Sequence, residues 1–271
     1  MVWGEKMKKI IFFDMDGTLL YKANEQDEPR ISDKTKEVLK KVQAQGHLIF
    51  VATGRPYAFL DKDVIDFGFD GYVLSNGAVV LHHDELLQLI PMNKELTYNL
   101  IQEFEKRNIE YIMQTKDYSY MKKENTLMKA FYDHCSVNYD YIKMDGFTVE
   151  DVLEEIVKLE MLPVGDENIA YCESLKGDDF AMMGHPPYTF ELYAKQTSKA
   201  TGILKVLEKL NIDIKDSYAF GDGPNDIEML ETVGCGIAMG NAPDDVKEHA
   251  DEVCLPVDQD GIAVKLEELF L

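Results

Sequence analysis

Asp14 and Asp16 stand two residues apart, directly after the apolar run Ile10-Ile11-Phe12-Phe13, and Gly17-Thr18 follow them. A carboxylate in such a loop can attack phosphorus and form an aspartyl-phosphate, splitting one hard displacement into two easier ones. A second carboxylate nearby can protonate the leaving oxygen and then deprotonate the attacking water. Two carboxylates also make a hard oxygen site of the kind Mg²⁺ takes. Gly17 allows a sharp turn and close approach of backbone N–H groups to a phosphate. The same residues alone also read as an acidic turn without chemistry, so the rest of the chain has to decide.

Three further stretches carry candidate chemistry. Thr53-Gly54 offers a hydroxyl and backbone N–H groups that suit phosphate oxygens, although Thr53 also reads as a helix cap, and Arg55 suits either a carboxylate or a substrate. Lys199 falls in the first turn of a helix, where the macrodipole disfavours a cation; facing a phosphate would explain it, while a solvated surface lysine is the ordinary alternative. Gly221-Asp222-Gly223-Pro224-Asn225-Asp226 supplies a second pair of carboxylates, Asp222 and Asp226, and an amide, Asn225, that can donate to phosphate.

The elements that position these residues follow from hydrophobic pattern. Residues 10–13 and Leu48–Ala52 read as buried strands, separated by a helix that Ser32 caps and Gly46 closes. Strand, helix, strand implies a parallel sheet. A third strand, Tyr72–Leu74, ends at Ser75-Asn76-Gly77, and a fourth, Ser217–Phe220, ends at the second acidic loop. From about His82 the rhythm changes: a helix over 94–108, strand-like pieces at 111–121, a helix over Val149–Lys158, and strand-like pieces at 169–173 and 188–193. The fold class is therefore α/β, a Rossmann-like doubly wound parallel sheet core with an inserted α+β cap domain. The core spans 1–82 and 189–271 and the insert 83–188. The Tyr and Met residues of the insert read as core rather than as a pocket lining. All four polar loops fall at the carboxyl edge of one sheet, where ligands sit in open α/β folds. That coincidence favours a Mg²⁺-phosphate site over unrelated acidic turns.

The 271 residues carry 28 basic and 50 acidic side chains, a net charge of −22. Such a balance excludes a nucleic-acid binder that relies on a basic face. Residues 82–190 hold 10 basic against 21 acidic residues, so the insert is no basic clamp. No apolar run approaches a membrane helix, and the first residues lack a signal-peptide pattern, with Met7 a candidate start. Cys135, Cys172, Cys235 and Cys254 are scattered without a CxxC pair, which points to reduced thiols and a cytoplasmic setting. Arg107, Lys122 and Lys123 read as surface rather than as a second anion site. Oligomeric state is not encoded in any of these patterns.

The chain resembles haloacid-dehalogenase-like (HAD) hydrolases of the Cof-type branch, subclass IIB, nearly end to end. The resemblance rests on DMDGTLL (14–20), ATGR (52–55), SNGA (75–78), SK (198–199), GDGPNDIEML (221–230) and AMGNAPDDVK (238–247). It implies Asp14 as nucleophile and Asp16 as general acid and base, with the backbone carbonyl of Asp16 on Mg²⁺. It implies Asp14 and Asp222 as the carboxylate ligands of Mg²⁺, with Asp226 supporting the metal site without touching the metal. Thr53, Gly54, Lys199, Asn225 and the backbone near Met15 would hold the phosphoryl group, and the inserted cap would close over the site. Two positions depart from the family pattern: Ala200 stands where Gly usually follows the lysine, and Pro224 where an acidic residue is common.

The expected activity is Mg²⁺-dependent hydrolysis of small phosphate monoesters such as sugar phosphates, nucleotides or phosphorylated cofactors. A phosphomutase or phosphotransferase using the same Asp14 chemistry is the alternative. A phosphoaccepting receiver module fits less well, because it carries its phosphorylated Asp on a later strand than its acidic pair. A catalytically dead binding protein would not need every reacting residue.

Overall fold

The computed structural model describes residues 8–22, 24, 27–135, 137–185 and 189–271; Met7 lies outside them. The chain divides into two compact units, one of residues 1–54, 61–88 and 198–271, the other of 55–60 and 89–197.

The first unit opens with β1 (Ile10–Phe13), all four residues of which are buried. Helix α1 (Asp33–Ala44) follows, with the Ser32 hydroxyl accepting from the Thr35 N–H and Val38, Leu39 and Val42 on the buried face. Next come β2 (Leu48–Ala52), α2 (Lys62–Phe67), β3 (Gly71–Leu74), β4 (Val79–His82) and β5 (Glu85–Leu89). The second unit contributes α3 (Lys94–Arg107), β6 (Glu110–Gln114), β7 (Ser119–Met121), α4 (Thr126–His134) and β8 (Ile142–Lys143). It continues with α5 (Val149–Val152), β9 (Lys158–Leu162), α6 (Asp166–Glu173), β10 (Phe180–His185) and β11 (Thr189–Ala194). The chain then returns to the first unit with α7 (Lys199–Leu210), β12 (Ser217–Gly221), α8 (Ile227–Thr232), β13 (Cys235–Ala238), α9 (Asp244–Lys247), β14 (Glu252–Val253) and α10 (Gly261–Phe270).

In the first unit one eight-stranded sheet runs in the order β14-β13-β12-β1-β2-β3-β4-β5. The pairs from β14 to β3 are parallel, and β4 joins β3 antiparallel. The chain leaves β1 towards β2 and later returns on its other side as β12, so β1 lies where the strand order reverses. That is where doubly wound sheets place ligands, beyond the carboxyl ends of their strands. Phe12 and Phe50 pack with Ile203, Val206, Met229 and Leu230 into one continuous core. Fully burying each such side chain contributes about 1.5–3 kcal/mol. The sequence does not disclose β4 and β5; they extend the sheet as a hairpin just where the rhythm changes.

In the second unit a six-stranded sheet runs β10-β11-β9-β6-β7-β8, mostly antiparallel. Its register corrects three expectations. The helix expected over Val149–Lys158 stops at Val152, and Lys158 begins strand β9. Residues 169–173, expected as a strand, belong to helix α6. Thr189–Ala194, expected in the core, pair as β11 with β9 and β10 in the second unit's sheet.

One face of this sheet is apolar: Tyr111, Met113, Leu159, Met161, Phe190 and Leu192 pack with Ile101 and Phe104 of α3. That part of the Tyr- and Met-rich stretch is core. Strand alternation places Lys158, Glu160 and Glu191 on the opposite face, with Glu160 directly across from Glu191. There Lys158 Nζ pairs with Glu191 at 2.8 Å, and the Tyr132 hydroxyl of α4 donates to Glu160 at 2.6 Å. Burial first, then the neighbouring Glu191, push the Glu160 carboxyl up to about 7. An acid raised in the fold is stabilising below its unfolded value, near 4.5, and that contribution is lost as pH rises through 7. Glu160→Gln is therefore expected to raise the thermal midpoint at pH 8 by several degrees relative to the parent and to leave it nearly unchanged at pH 4.5. Calorimetric melts at both pH values check this, and an equal shift at both would remove Glu160 ionisation as the cause.

Candidate active site

The strands of the first unit end level with one another. Phe13 pairs with Val51 on one side and with Phe220 on the other. The residues that follow, Asp14-Met15, Ala52-Thr53 and Gly221-Asp222, therefore leave the same edge side by side. The Asp14 N–H donates to the Phe220 carbonyl at 2.9 Å, extending the ladder to the first residue of the loop.

Lys199 reaches this edge from α7. Ser198 caps the helix, its hydroxyl accepting from the Thr201 N–H, so Lys199 occupies the first helical position. The side chain is 1% exposed, and its ammonium lies 2.5 Å from Asp14 Oδ1 and 2.6 Å from Asp226 Oδ1. The ordinary expectation for a lysine, a solvated surface residue, fails here. The two carboxylates replace lost hydration and outweigh the unfavourable helix end. Helix α7 approaches closely because of Gly202: a Cβ there would stand 2.4 Å from Val73 Cγ1. The glycine this packing needs is thus at 202, while Ala200, at the position of departure from the family pattern, is simply buried.

Asp226 is fully buried and organises the second acidic loop. Its Oδ2 accepts from the Asp222 N–H at 2.9 Å and the Gly223 N–H at 2.8 Å, while Oδ1 takes Lys199. Asp222 is half-buried. Its Oδ1 accepts the Thr18 hydroxyl at 2.7 Å, and Gly17 leaves it room, since a Cβ there would fall 2.3 Å from Asp222 Oδ2. Asp14, Asp222 and Asp226 each offer an oxygen, all within 4.8 Å of one another.

Two carboxylates thus share one ammonium, with a third, that of Asp222, beside them. Burial, then Asp226, push Asp14 up to about 8, against the opposing pull of Lys199. Burial likewise raises Asp222 to about 6. Burial by itself would lower Lys199, but Asp14 and Asp226 more than offset it and hold the lysine above its ordinary value. The cluster has more negative charge than its own lysine can neutralise. A hard divalent cation with oxygen ligands fits this donor set, with Asp14 and Asp222 as its side-chain carboxylates. Asp226 has both oxygens engaged by protein donors.

The remaining sequence-derived residues take these places. Asp16 is exposed and pairs by a backbone bridge with Leu20. Met15 is buried, its carbonyl accepting from Leu20 N–H at 2.8 Å. Thr53 is buried, its N–H on the Val73 carbonyl and its carbonyl taking the Asn76 N–H. Gly54 follows it at the same edge, and Asn225 is exposed on the 3-10 turn Pro224–Asp226. Arg55 Nη1 donates to the Phe59 carbonyl at 2.9 Å.

Sequence reasoning misses two residues of the cluster. Thr18 reads there only as part of a motif. Asn241, in the loop after β13, donates to the Gly17 carbonyl at 2.9 Å and to Asp222 Oδ2 at 3.4 Å, and accepts the Val257 N–H. Its signal is positional: it follows a fifth strand of the same parallel sheet and so leaves the same edge. The geometry makes Asp226 the more costly residue to remove. Asp226→Ala leaves two N–H groups and part of an ammonium buried and unpaired, and is expected to cost about 3–5 kcal/mol. Asp222→Ala, half-buried and with fewer partners, is expected to cost about 1 kcal/mol. Urea unfolding of the two variants separates them; equal losses would remove Asp226 from this structural position.

Comparison with known proteins agrees with this architecture. The family model of haloacid dehalogenase-like hydrolases matches residues 11–266. The putative phosphatase YkrA of Bacillus subtilis is 32% identical, over 97% of this chain and 98% of its own. The 5-amino-6-(5-phospho-D-ribitylamino)uracil phosphatase YitU of the same organism is 25% identical over 96% of this chain and 97% of its own. Among solved structures, the HAD subclass IIB sugar phosphatase BT4131 superimposes with a TM-score of 0.78 at 29% identity, covering 97% of this chain and 99% of that one. The chain belongs to the haloacid dehalogenase-like hydrolase family and is a phosphatase of its subclass IIB type.

Proposed function

We propose that the protein is a Mg²⁺-dependent phosphatase of small phosphate monoesters, acting through an aspartyl-phosphate on Asp14, with the inserted unit serving as its cap. The observation that carries this is the contact of Asp14 with the buried Lys199 inside a three-carboxylate cluster at the sheet's carboxyl edge. The relatives differ in their named esters, a sugar phosphate for one and a ribitylaminouracil phosphate for another. Sugar phosphates, nucleotides and phosphorylated cofactors are accordingly the substrate classes proposed here. No disulfide joins the cysteines among the described residues, and no helix there is long and apolar enough to cross a membrane, which fits a cytoplasmic enzyme acting on small molecules.

In this reading Asp14 attacks phosphorus in line, and the bond to the leaving oxygen breaks as the aspartyl-phosphate forms. Asp16, exposed beside it, gives its proton to the departing alkoxide. Asp16 then takes a proton from water, which attacks the aspartyl-phosphate, and inorganic phosphate leaves with Asp14 restored. Lys199 holds the Asp14 carboxylate in place and lends charge to the transferring group. Thr53, Gly54, Asn225 and the Met15 backbone orient the phosphoryl oxygens. Bound by Asp14, Asp222 and the Asp16 carbonyl, Mg²⁺ would supply the positive charge that keeps Asp14 ionised and offsets the incoming phosphate.

Phosphate release from a panel of phosphate esters, with Mg²⁺ and with a chelator, tests the reading. The parent is expected to release free phosphate only with Mg²⁺, and Asp14→Asn is expected to lose at least a thousandfold in turnover while remaining folded. Appearance of an isomeric ester instead of free phosphate would assign the chemistry to transfer rather than hydrolysis. Asp16→Ala is expected to lose far more activity on an alkyl phosphate than on p-nitrophenyl phosphate, whose leaving group needs no proton. Equal losses on both would remove Asp16 from the acid role.

A further inference from the structure

The turn after β3 holds buried polar groups that neither the fold nor the proposed mechanism uses. Ser75, Asn76 and Gly77 follow one another with φ of 48°, 52° and 86°. Asn76 is 3% exposed, and neither its Oδ1 nor its Nδ2 has a hydrogen-bond partner among the described residues. The Ser75 hydroxyl beside it is also buried and unpaired. Buried side-chain amides are nearly always paired, and an unpaired one costs about 1–3 kcal/mol. The left-handed backbone explains why Asn is tolerated here. It does not explain the unpaired amide, because glycine would take the same conformation with nothing to satisfy.

The surroundings of the amide indicate what it awaits. The Asn76 N–H donates to the Thr53 carbonyl at 3.2 Å, tying the turn to the loop after β2. The side chain lies against Gly54, where a Cβ would stand 3.1 Å from Asn76 Oδ1. The next residue, Gly77, is pressed on the start of α7: a Cβ there would fall 2.1 Å from the Ser198 carbonyl oxygen. The Asn76 turn is thus wedged between the Thr53-Gly54 loop and the first turn of the helix that delivers Lys199. Both flanking elements are the ones assigned above to holding phosphate.

We propose that Asn76 is a further substrate-contacting residue, its buried amide donating through Nδ2 to an oxygen of the phosphoryl group held at Thr53-Gly54. The inference rests on the proposed phosphatase reading of that loop. A neutral donor suits the position: two N–H groups are offered to an anion, and no charge is left buried when the site is empty of substrate.

Two substitutions keep the backbone permissible at φ 52° while changing the donor: Asn76→Gly removes it and Asn76→Asp replaces it with an acceptor. For both, kcat/KM for phosphate release, the affinity for inorganic phosphate by titration calorimetry, and the thermal midpoint are measured. Asn76→Gly is expected to lose about ten- to a hundredfold in kcat/KM and a similar factor in phosphate affinity, as for a hydrogen bond to a charged group. Its thermal midpoint should not fall in step. Asn76→Asp is expected to lose more in both, because a carboxylate faces the anion. Parental kcat/KM and phosphate affinity in Asn76→Gly would overturn the proposal. So would an activity loss accompanied by a lower midpoint and unchanged phosphate affinity, which would mark a purely structural residue. A parent that binds inorganic phosphate without releasing it from any ester would count against the phosphatase reading alone, and the affinity comparison would still decide the role of Asn76.

Discussion

The ammonium of Lys199 sits within 2.6 Å of two buried carboxylates, and the geometry of the whole edge depends on that contact. Asp14 belongs to the loop after β1, Asp226 to the turn after β12, and Lys199 to the first turn of α7, so the contact ties together three segments far apart in sequence. Burying a charge is tolerated only when its partners supply nearly all the hydrogen bonds that water gave up. Here the carboxylates do so for the lysine, and two backbone N–H groups with the lysine do so for Asp226. Removing any one member strands the others. The folding of the loops and the assembly of the site are therefore the same event.

The cluster also stores an imbalance. Its carboxylates outnumber its cations, and burial combined with mutual repulsion raises Asp14 and Asp222 well above ordinary carboxylates. A site tuned only for stability would replace such a set with apolar residues of similar volume. A site meant to receive a cation and a phosphate gains from holding its anionic groups close together and partly unneutralised. The strain concerns charge rather than backbone, and it sits next to the one glycine, Gly17, whose missing side chain admits Asp222.

Much of this was legible in the sequence. Parallel strands followed by polar loops put Asp14, Thr53 and Asp222 at one edge by topology alone, and the observed register places them level. The seat of Lys199 was legible only through its awkward position at a helix start. Thr18 and Asn241 were not, because a hydroxyl or an amide has no fixed spacing that marks a partner 204 or 224 residues away. The second unit was least legible. Its sheet is mostly antiparallel with one polar face, and nothing in the spacing of Lys158, Glu160 and Glu191 marks Lys158 and Glu160 as buried. Charged residues at helical spacing around Val152 likewise carry a helical pattern past the end of α5, up to the residue where β9 begins. Strand β11 pairs with β9 rather than with the core sheet, and a local pattern cannot say which sheet a strand joins.

A chain of net charge −22 that handles phosphate esters must solve a long-range problem with short-range means. The surface field repels anions, and at an ionic strength near 0.15 M it is screened beyond about 8 Å. Inside the edge the attraction must come from groups within a few ångströms. The buried cation there is already committed to two carboxylates. Beyond the charge Lys199 lends, the groups proposed to meet the phosphate are neutral or supplied from outside: the backbone at Gly54 and Met15, Thr53, the amides of Asn225 and Asn76, and a divalent ion that Asp14 and Asp222 would hold. Neutral donors favour a transferring phosphoryl group without holding the product as tightly as a row of lysines would. The proposed site, with few fixed positive charges and a cation that could leave, therefore suits turnover, in which phosphate must leave as readily as its ester arrives.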